Sequence, residues 1–320
     1  MIDRIIIDGL AFSLPLFAMA IGGIFSEKSG ITMLALEGIQ GFGAFCGAVA
    51  FALLQPLIPG GTQVIIYPVL AAAMLGGMIF ALLHAYMSIR FRLNQVISGV
   101  VVNILAMSLT IFLTGLINER LTGEPSNKIW LGAAPRFSVP GLSKIPVIGA
   151  IFRDLYIFAP FIVLFALISG ILLYRTRFGL RLRACGENPQ SVEAAGCSVK
   201  RIRYLALALC GLLTGLGGMN FAFTFSANFS PTIYMGYGYL AIAALICGNW
   251  DIRRTLFTCL IFGFARSGGY QLILKLGMSS DLSDLFLMIP YVLTLLLLLF
   301  LSRHNHPPSA LGSDYEYDRR

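Results

Sequence analysis

The segment YRTRFGLRLRACGENPQSVEAAGCSVKRIR, Tyr174 to Arg203, interrupts a chain of otherwise long apolar stretches. It carries seven cations (Arg175, Arg177, Arg181, Arg183, Lys200, Arg201 and Arg203) against two acids, Glu187 and Glu193. That excess is expected of a connection retained on the cytoplasmic side of a membrane. Within it, Asn188 can cap a helix beginning at Pro189 and Gly196 can end it. This follows the preference for proline just inside a helix start and glycine just past its end. The segment therefore predicts a helix of about two turns, pinned between two spans, with the form of a docking element.

Working outward, the composition is 57% hydrophobic and 12% charged with a mean hydropathy of +0.82. A soluble domain carries about a quarter charged residues. The fold class is thus all-α, a polytopic transmembrane bundle. With about twenty apolar residues per crossing, the pattern predicts about nine spans (eight to ten). They fall near 4–24, 31–54, 66–88, 95–117, 155–174, 204–226, 236–250, 255–275 and 285–302. The stretch 236–250 is short for a crossing, and reads as tilted, broken or extended.

Placing 174–203 inside and alternating outward puts the amino terminus outside and the carboxyl tail inside. Fifteen cations then lie inside and seven outside, with Arg266 alone at membrane depth. The bias agrees with the orientation. The net charge of +8 is accounted for by topology, and no soluble basic domain remains to bind nucleic acid. Ala18-Met19-Ala20 looks like a cleavage site, but Asp3 and Asp8 oppose a positive leader, so a retained span is expected.

Residues 1–303 form one transmembrane domain in this reading, with a cytoplasmic connection at 175–203 and an outer loop at 118–154. That loop holds Pro125, Pro135, Pro140 and Pro146 with Gly123, Gly132, Gly141 and Gly149, so it is expected to be irregular but ordered, with room for a short interfacial helix. The polar tail, 304–320, is expected to be disordered and to add little to function. The segments Gly30 to Ala50 and Met235 to Asn249 echo one another, as repeated halves of transporters do.

Cys46, Cys210, Cys247 and Cys259 fall in or beside spans, while Cys185 and Cys197 lie in the basic connection; with no CxxC spacing they read as free thiols. His84, His304 and His306 form no cluster, so no metal site is expected. The chain has no GxxxxGK[ST], and the glycines at 215–218 and 268–269 lack a lysine that would reach phosphate. No cofactor is expected in this chain, and any ATP is used elsewhere.

Several residues could touch a solute. Glu37 lies about one and a half turns into its span, at a depth where a carboxylate must face protein or water. It reads either as a substrate or gate contact or as a tie between a helix end and a backbone amide or a neighbouring polar side chain. Asn103, mid-span, would bond a neighbouring helix or a ligand. Arg266-Ser267-Gly268-Gly269 suggests a broken helix, a wet cavity or a guanidinium snorkelling to an interface. FAFTFSANF, holding Phe221, Phe223, Phe225, Asn228 and Phe229, follows Asn220. Its rings and amides suit a flat polar heterocycle or an interfacial aromatic belt with ordinary packing.

RLRACGENPQSVEAAGCSVKRIRYLALALCGLLTGLGG resembles the coupling region of permease subunits of bacterial ATP-binding-cassette importers, in the simple sugar and nucleoside group (the branched-chain amino acid and ribose-type permease family). SEKSGITMLALEGIQGFGAFCGA, with Glu37-Gly38, and RFRLNQVISGVVVNILA, with Asn94, Ser98, Gly99 and Asn103, fit the same group. The likeness spans nearly the whole chain and leans to the nucleoside branch. Met33 and Leu34 depart from a more polar pair, and Tyr237 stands where an arginine between glycines is common, which leaves the ligand open.

The resemblance implies a type II importer permease in the bacterial inner membrane, itself without catalysis. Glu187, Asn188, Pro189, Glu193, Ala194, Ala195 and Gly196 would transmit force from an ATPase subunit that uses ATP and Mg. A second permease, a homologue rather than an identical copy, would complete the pathway by alternating access. An extracytoplasmic binding protein would deliver a small solute, with Glu37, Asn103, Phe221, Phe223 and Asn228 along its path. Ribose, galactose or riboflavin are the alternative cargoes within the class. An ion-coupled secondary transporter is the rival from another class, and it would call for paired intramembrane carboxylates or a proton relay. An intramembrane enzyme would need a nucleophile and base, or a metal, that the scattered histidines do not supply.

Overall fold

The computed structural model describes residues 2–57, 62–132, 134–138, 149, 154–230, 233–234, 236–276, 288–301, 305–313 and 315. Pro140, Gly141, Lys144, Pro146, Arg153, Met235, Arg303, His304, Arg319 and Arg320, which figure in the sequence reading, lie outside them. The main helices are α1 (Ile2–Glu27), α2 (Leu36–Leu54), α3 (Thr62–Ala85, continued by a π turn at Tyr86–Arg90), α4 (Gln95–Thr122) and α5 (Ala159–Arg175). They are followed by α6 (Arg177–Glu187), α7 (Pro189–Ala194), α8 (Val199–Phe221, with a π turn at Ala222–Ser226), α9 (Tyr237–Cys247), α10 (Ile252–Leu276) and α11 (Ile289–Leu301).

The starts and stops follow local chemistry. Asn94 Oδ1 accepts from the Val96 and Ile97 amides at 2.9 and 3.2 Å to begin α4, and Gly123, at φ +78°, ends it. Thr176 caps α6 by accepting from Gly179 N at 3.1 Å, and Ser198 caps α8. Each side chain satisfies an amide that the first helical turn leaves without a partner.

Among the described residues, five helices are long and apolar enough to cross a membrane: α1, α2, α3 with its π turn, α4 and α8 with its π turn. A sixth arises if α5 and α6, bent by 70°, count as one. The expected nine is therefore not reached. Helix α9 has only 11 residues, about half the hydrocarbon thickness at 1.5 Å per residue. Helix α10 has 25 residues, but Arg253, Arg254, Arg266 and Lys275 dilute its apolar character. Helix α11 spans 13 residues.

Helices α2, α3 and α8 pack into one block, with α1 against α8 and α10. Small residues allow the close approach that membrane helices need where lipid supplies no hydrophobic drive. A β-carbon on Gly215 would lie 2.2 Å from the Ala73 carbonyl oxygen. The glycines near 215 thus serve helix packing.

At the end away from the basic connection, the described part of loop 118–154 contributes short strands. β1 (Ile129–Trp130) pairs antiparallel with β4 (Asn228–Phe229), and β2 (Arg136–Phe137) with β3 (Leu155–Tyr156). The loop is thereby tied to the segment after α8.

Candidate functional site

The basic connection folds as two helices. Helix α6, which composition did not single out, buries Gly179, Leu182, Cys185 and Gly186, a spacing that marks one face of an amphipathic helix. Asn188 then caps α7, its Oδ1 accepting from Ser191 N at 3.1 Å, with Pro189 as first residue. Past the helix end, Cys197 N donates to Val192 O at 3.1 Å around Gly196, which adopts φ +76°. Pro189 and Val192 are buried, whereas Glu187, Asn188, Glu193, Ala194, Ala195 and Gly196 are exposed. Helix α7 therefore sits on an apolar anchor and turns its other face outward.

The tail corrects an expectation. Residues 305–313 and 315 lie across this end of the molecule. His306 N donates to Asn249 Oδ1 at 2.8 Å, Ala310 N to Gly186 O at 2.8 Å and Gly312 N to Gly30 O at 3.1 Å. Ser309 Oγ donates to Glu187 at 2.7 Å, and the Tyr315 hydroxyl donates to Glu193. The fully buried Arg203 donates from Nε to Ser29 O at 3.0 Å and lies 5.7 Å from the Tyr315 ring centre. Composition marked the tail as disordered because it is predominantly polar. Backbone bonding to α6, the α1–α2 connection and the corner before α10, with Ala310 and Tyr315 as buried anchors, orders it instead. At the same joint, burial and Arg183 draw the Lys28 ammonium below its usual range, against the opposing charges of Asp251 and Glu187.

Glu37 is in the first turn of α2, because residues 31–35 are unwound. Its carboxylate accepts from Gly236 N at 2.8 Å and Gly238 N at 2.6 Å. Gly236 has no side chain to cap α9, so Glu37 does so from another helix, at the positive end of the α9 dipole. Asn103 Oδ1 accepts from Gly38 N at 2.7 Å, and its Nδ2 donates to Leu34 O and the Tyr239 hydroxyl, both at 2.9 Å. The two segments that echo one another in sequence thus meet at the starts of α2 and α9.

The unwound stretch is held by side chains from α3 and α4. Gln95 Oε1 accepts from Thr32 N at 2.7 Å, while His84 lies 3.2 Å from Thr32 O and 2.9 Å from Ser98 Oγ. A carbonyl can only accept, so His84 Nε2 carries the proton and Nδ1 accepts from Ser98. Irregular backbone within a membrane bundle persists only where protein satisfies it in this way.

Phe221 and Phe223 are 1% and 2% exposed. Phe221 stacks on Tyr237 at 4.7 Å, next to the Glu37 crossing, whereas Phe223 packs on Phe158 at 5.2 Å and Phe51 at 5.8 Å. Asn228 Nδ2 donates to Ser226 O at 2.8 Å. The structure brings Glu37, Asn103 and Phe221 into one neighbourhood and leaves Phe223 and Asn228 apart from it.

Helix α10 is continuous through Arg266, so it is not broken there. Arg266 instead borders a cavity of about 400 Å³ with Asp8, Arg136, Tyr156, Phe225 and Ser267. Its guanidinium lies 4.6 Å from the Phe225 ring centre and 4.7 Å from that of Phe12. Arg266 also borders a smaller cavity, about 140 Å³, that reaches Tyr237.

An apolar helical bundle whose irregular segments are buried against side chains, with the anchored helices of a basic connection at one end, is a polytopic membrane protein. Over residues 5–298 the chain matches the family described as branched-chain amino acid transport system, permease component, and it belongs to that family. It is similar to the guanosine ABC transporter permease protein NupQ of Bacillus subtilis, at 36% identity over 97% of this chain and 96% of that one. Similarity to the nucleoside ABC transporter permease protein NupC of Lactococcus lactis is 34%, over 97% and 96%. With the ribose import permease protein RbsC of Escherichia coli it is 26%, over 72% and 70%. The chain is a permease subunit of the ATP-binding-cassette importer class, seated in the bacterial inner membrane.

Proposed function

We propose that this permease moves nucleosides inward, powered by a separate ATPase subunit. The observation that carries this reading is end-to-end similarity to two permeases named for guanosine and for nucleosides, each aligned over 97% of the chain. In this reading the basic connection faces the cytoplasm. Helix α7 enters a groove of the ATPase, with Asn188, Pro189, Ala194, Ala195 and Gly196 at the contact. Glu187 and Glu193 pass its movement on through the tail. ATP and Mg bind the ATPase, a second permease homologue completes the pathway, and a binding protein docks on the outer loops. The chain itself performs no covalent chemistry; it rocks as a rigid body between inward-open and outward-open states. Glu37 and Asn103 keep the starts of α2 and α9 together during that motion.

The test is affinity purification of the tagged chain from its native membranes in mild detergent, followed by uptake in proteoliposomes containing the recovered complex. Recovery of a P-loop ATPase and a second permease, with guanosine uptake that excess ribose does not inhibit, supports the reading. Uptake of ribose in preference to guanosine would favour a sugar instead, the cargo named for the Escherichia coli relative. Recovery of the chain alone, with uptake driven by an ion gradient, would make it a secondary transporter.

A further inference from the structure

The cavity of about 400 Å³ at the end away from the basic connection is a chemically specific space. Its size falls in the range of small-molecule sites. Arginine at membrane depth is costly and marks function by default. A snorkelling arginine would reach toward headgroups, but the Arg266 guanidinium rests against the rings of Phe12 and Phe225, which meet edge to face and each lie within 5 Å of it. The guanidinium is thus held by two rings and by a hydrogen bond to the Tyr237 hydroxyl, and the side chain borders the cavity with further N–H donors to offer.

A second, independent observation concerns Ser267. This residue is 5% exposed, lines the same cavity, and its hydroxyl has no hydrogen-bond partner among the described residues. Buried hydroxyls are almost always bonded, so this one is open to a partner that the described residues do not supply. Asp8 accepts one bond, from Gln271 at 3.3 Å, and a carboxylate offers about four acceptor positions. Arg136 is pinned on the β2–β3 hairpin, donating to the Tyr156 hydroxyl and lying 4.5 Å from its ring centre.

We propose that this cavity is a solute subsite for the base of a 6-oxopurine nucleoside, with Arg266 reading the base edge and Ser267 adding a hydrogen bond. A guanidinium fork matches two adjacent acceptors, the carbonyl oxygen and ring nitrogen of guanine or hypoxanthine. Adenine presents a donor in place of that carbonyl and is disfavoured. Asp8 accepts from the ring N–H, and Phe225 offers a face for stacking. Arg266 is also the wall shared with the smaller cavity that reaches Tyr237, so a solute moving inward passes this side chain. The subsite deepens the nucleoside reading above and depends on it.

The test uses the purified complex of permeases and ATPase without the extracytoplasmic binding protein, whose own selectivity would mask the permease. An 8-azidoguanosine probe should label peptides containing Phe225 or Tyr270, and guanosine should displace it at least about tenfold better than adenosine, the size of one bidentate edge contact. R266Q should reverse that preference, because glutamine pairs with the adenine edge; a purely structural arginine would not invert selectivity. S267A, which is small and safe for folding, should weaken displacement by guanosine about threefold or more, the loss of one hydrogen bond. Labelling elsewhere, or wild-type displacement by both variants, overturns the subsite. If the wild-type complex imports nucleosides while either result occurs, only the subsite is wrong. If it imports none, the nucleoside reading falls and takes the subsite with it.

Discussion

The hydroxyl of Tyr315 donates to the carboxylate of Glu193, 122 residues earlier in the chain. Helix α7 is thereby bonded to a segment that also reaches Asn249, Gly186 and Gly30. A push on α7 is shared with α6, the α1–α2 connection and the corner before α10.

Removing this strap should loosen coupling without unfolding the bundle. A chain ending at Ser302, or the double variant S309A/Y315F, should insert normally but show several-fold lower uptake per ATP hydrolysed. The double variant loses two hydrogen bonds worth about 1 kcal/mol each. Uptake and ATPase activity measured on the same proteoliposomes decide it, and an unchanged ratio would make the strap ornamental.

Ala195 is exposed where α7 ends, so an arginine fits there without disturbing the fold. A195R should nevertheless abolish transport and coupled ATP hydrolysis by blocking the ATPase groove. Normal membrane yield with full uptake would place the docking surface elsewhere.

Glu37 receives two backbone amides, and the E37Q amide can present only one oxygen, leaving its NH2 facing a donor. A loss of about 1–3 kcal/mol is expected, the cost of an unmade buried bond. Thermal unfolding of the purified complex should show a lower midpoint, with uptake falling in step with assembly. Uptake lost at full assembly would instead give Glu37 a direct part in translocation.

Two glycines offer a matched pair. In G215A the new β-carbon would meet the Ala73 carbonyl at 2.2 Å, forcing α3 and α8 apart, so yield and thermal stability should drop sharply. G268A meets nothing within 4 Å and should be neutral or raise stability by up to about 1 kcal/mol through helix propensity. Equal effects of the two would contradict the close packing of α3 on α8.

The long apolar helices and the limits of α7 were legible because they depend on local signals: hydropathy, the Asn188 cap, Pro189 and Gly196. The partners of Glu37 were not. Gly236 and Gly238 lie 199 and 201 residues away, and no local pattern announces them. The unwound stretch at 31–35 was hidden for a similar reason, since its apolar residues read as helix and its backbone is satisfied by Gln95, Asn103 and His84. Helix α6 could have been found from Thr176 and the spacing of Leu182 and Cys185. Nine crossings are not confirmed by length and composition: among the described residues α9 and α11 are short and α10 carries charges. Arg266 was singled out as a lone charge at membrane depth, but the cavity around it draws on α1, the outer loop, α8 and α10 together.

The strap is made from residues 305–313 and 315, so every described helix has left the ribosome before it can close. Until then Glu187 and Glu193 lack their hydroxyl partners, and the α7 platform is unfinished during membrane insertion. The same arrangement bears on handling the protein in the laboratory. An insertion between Ser309 and Tyr315 would part the two hydroxyl contacts to Glu187 and Glu193, so labels belong outside that stretch.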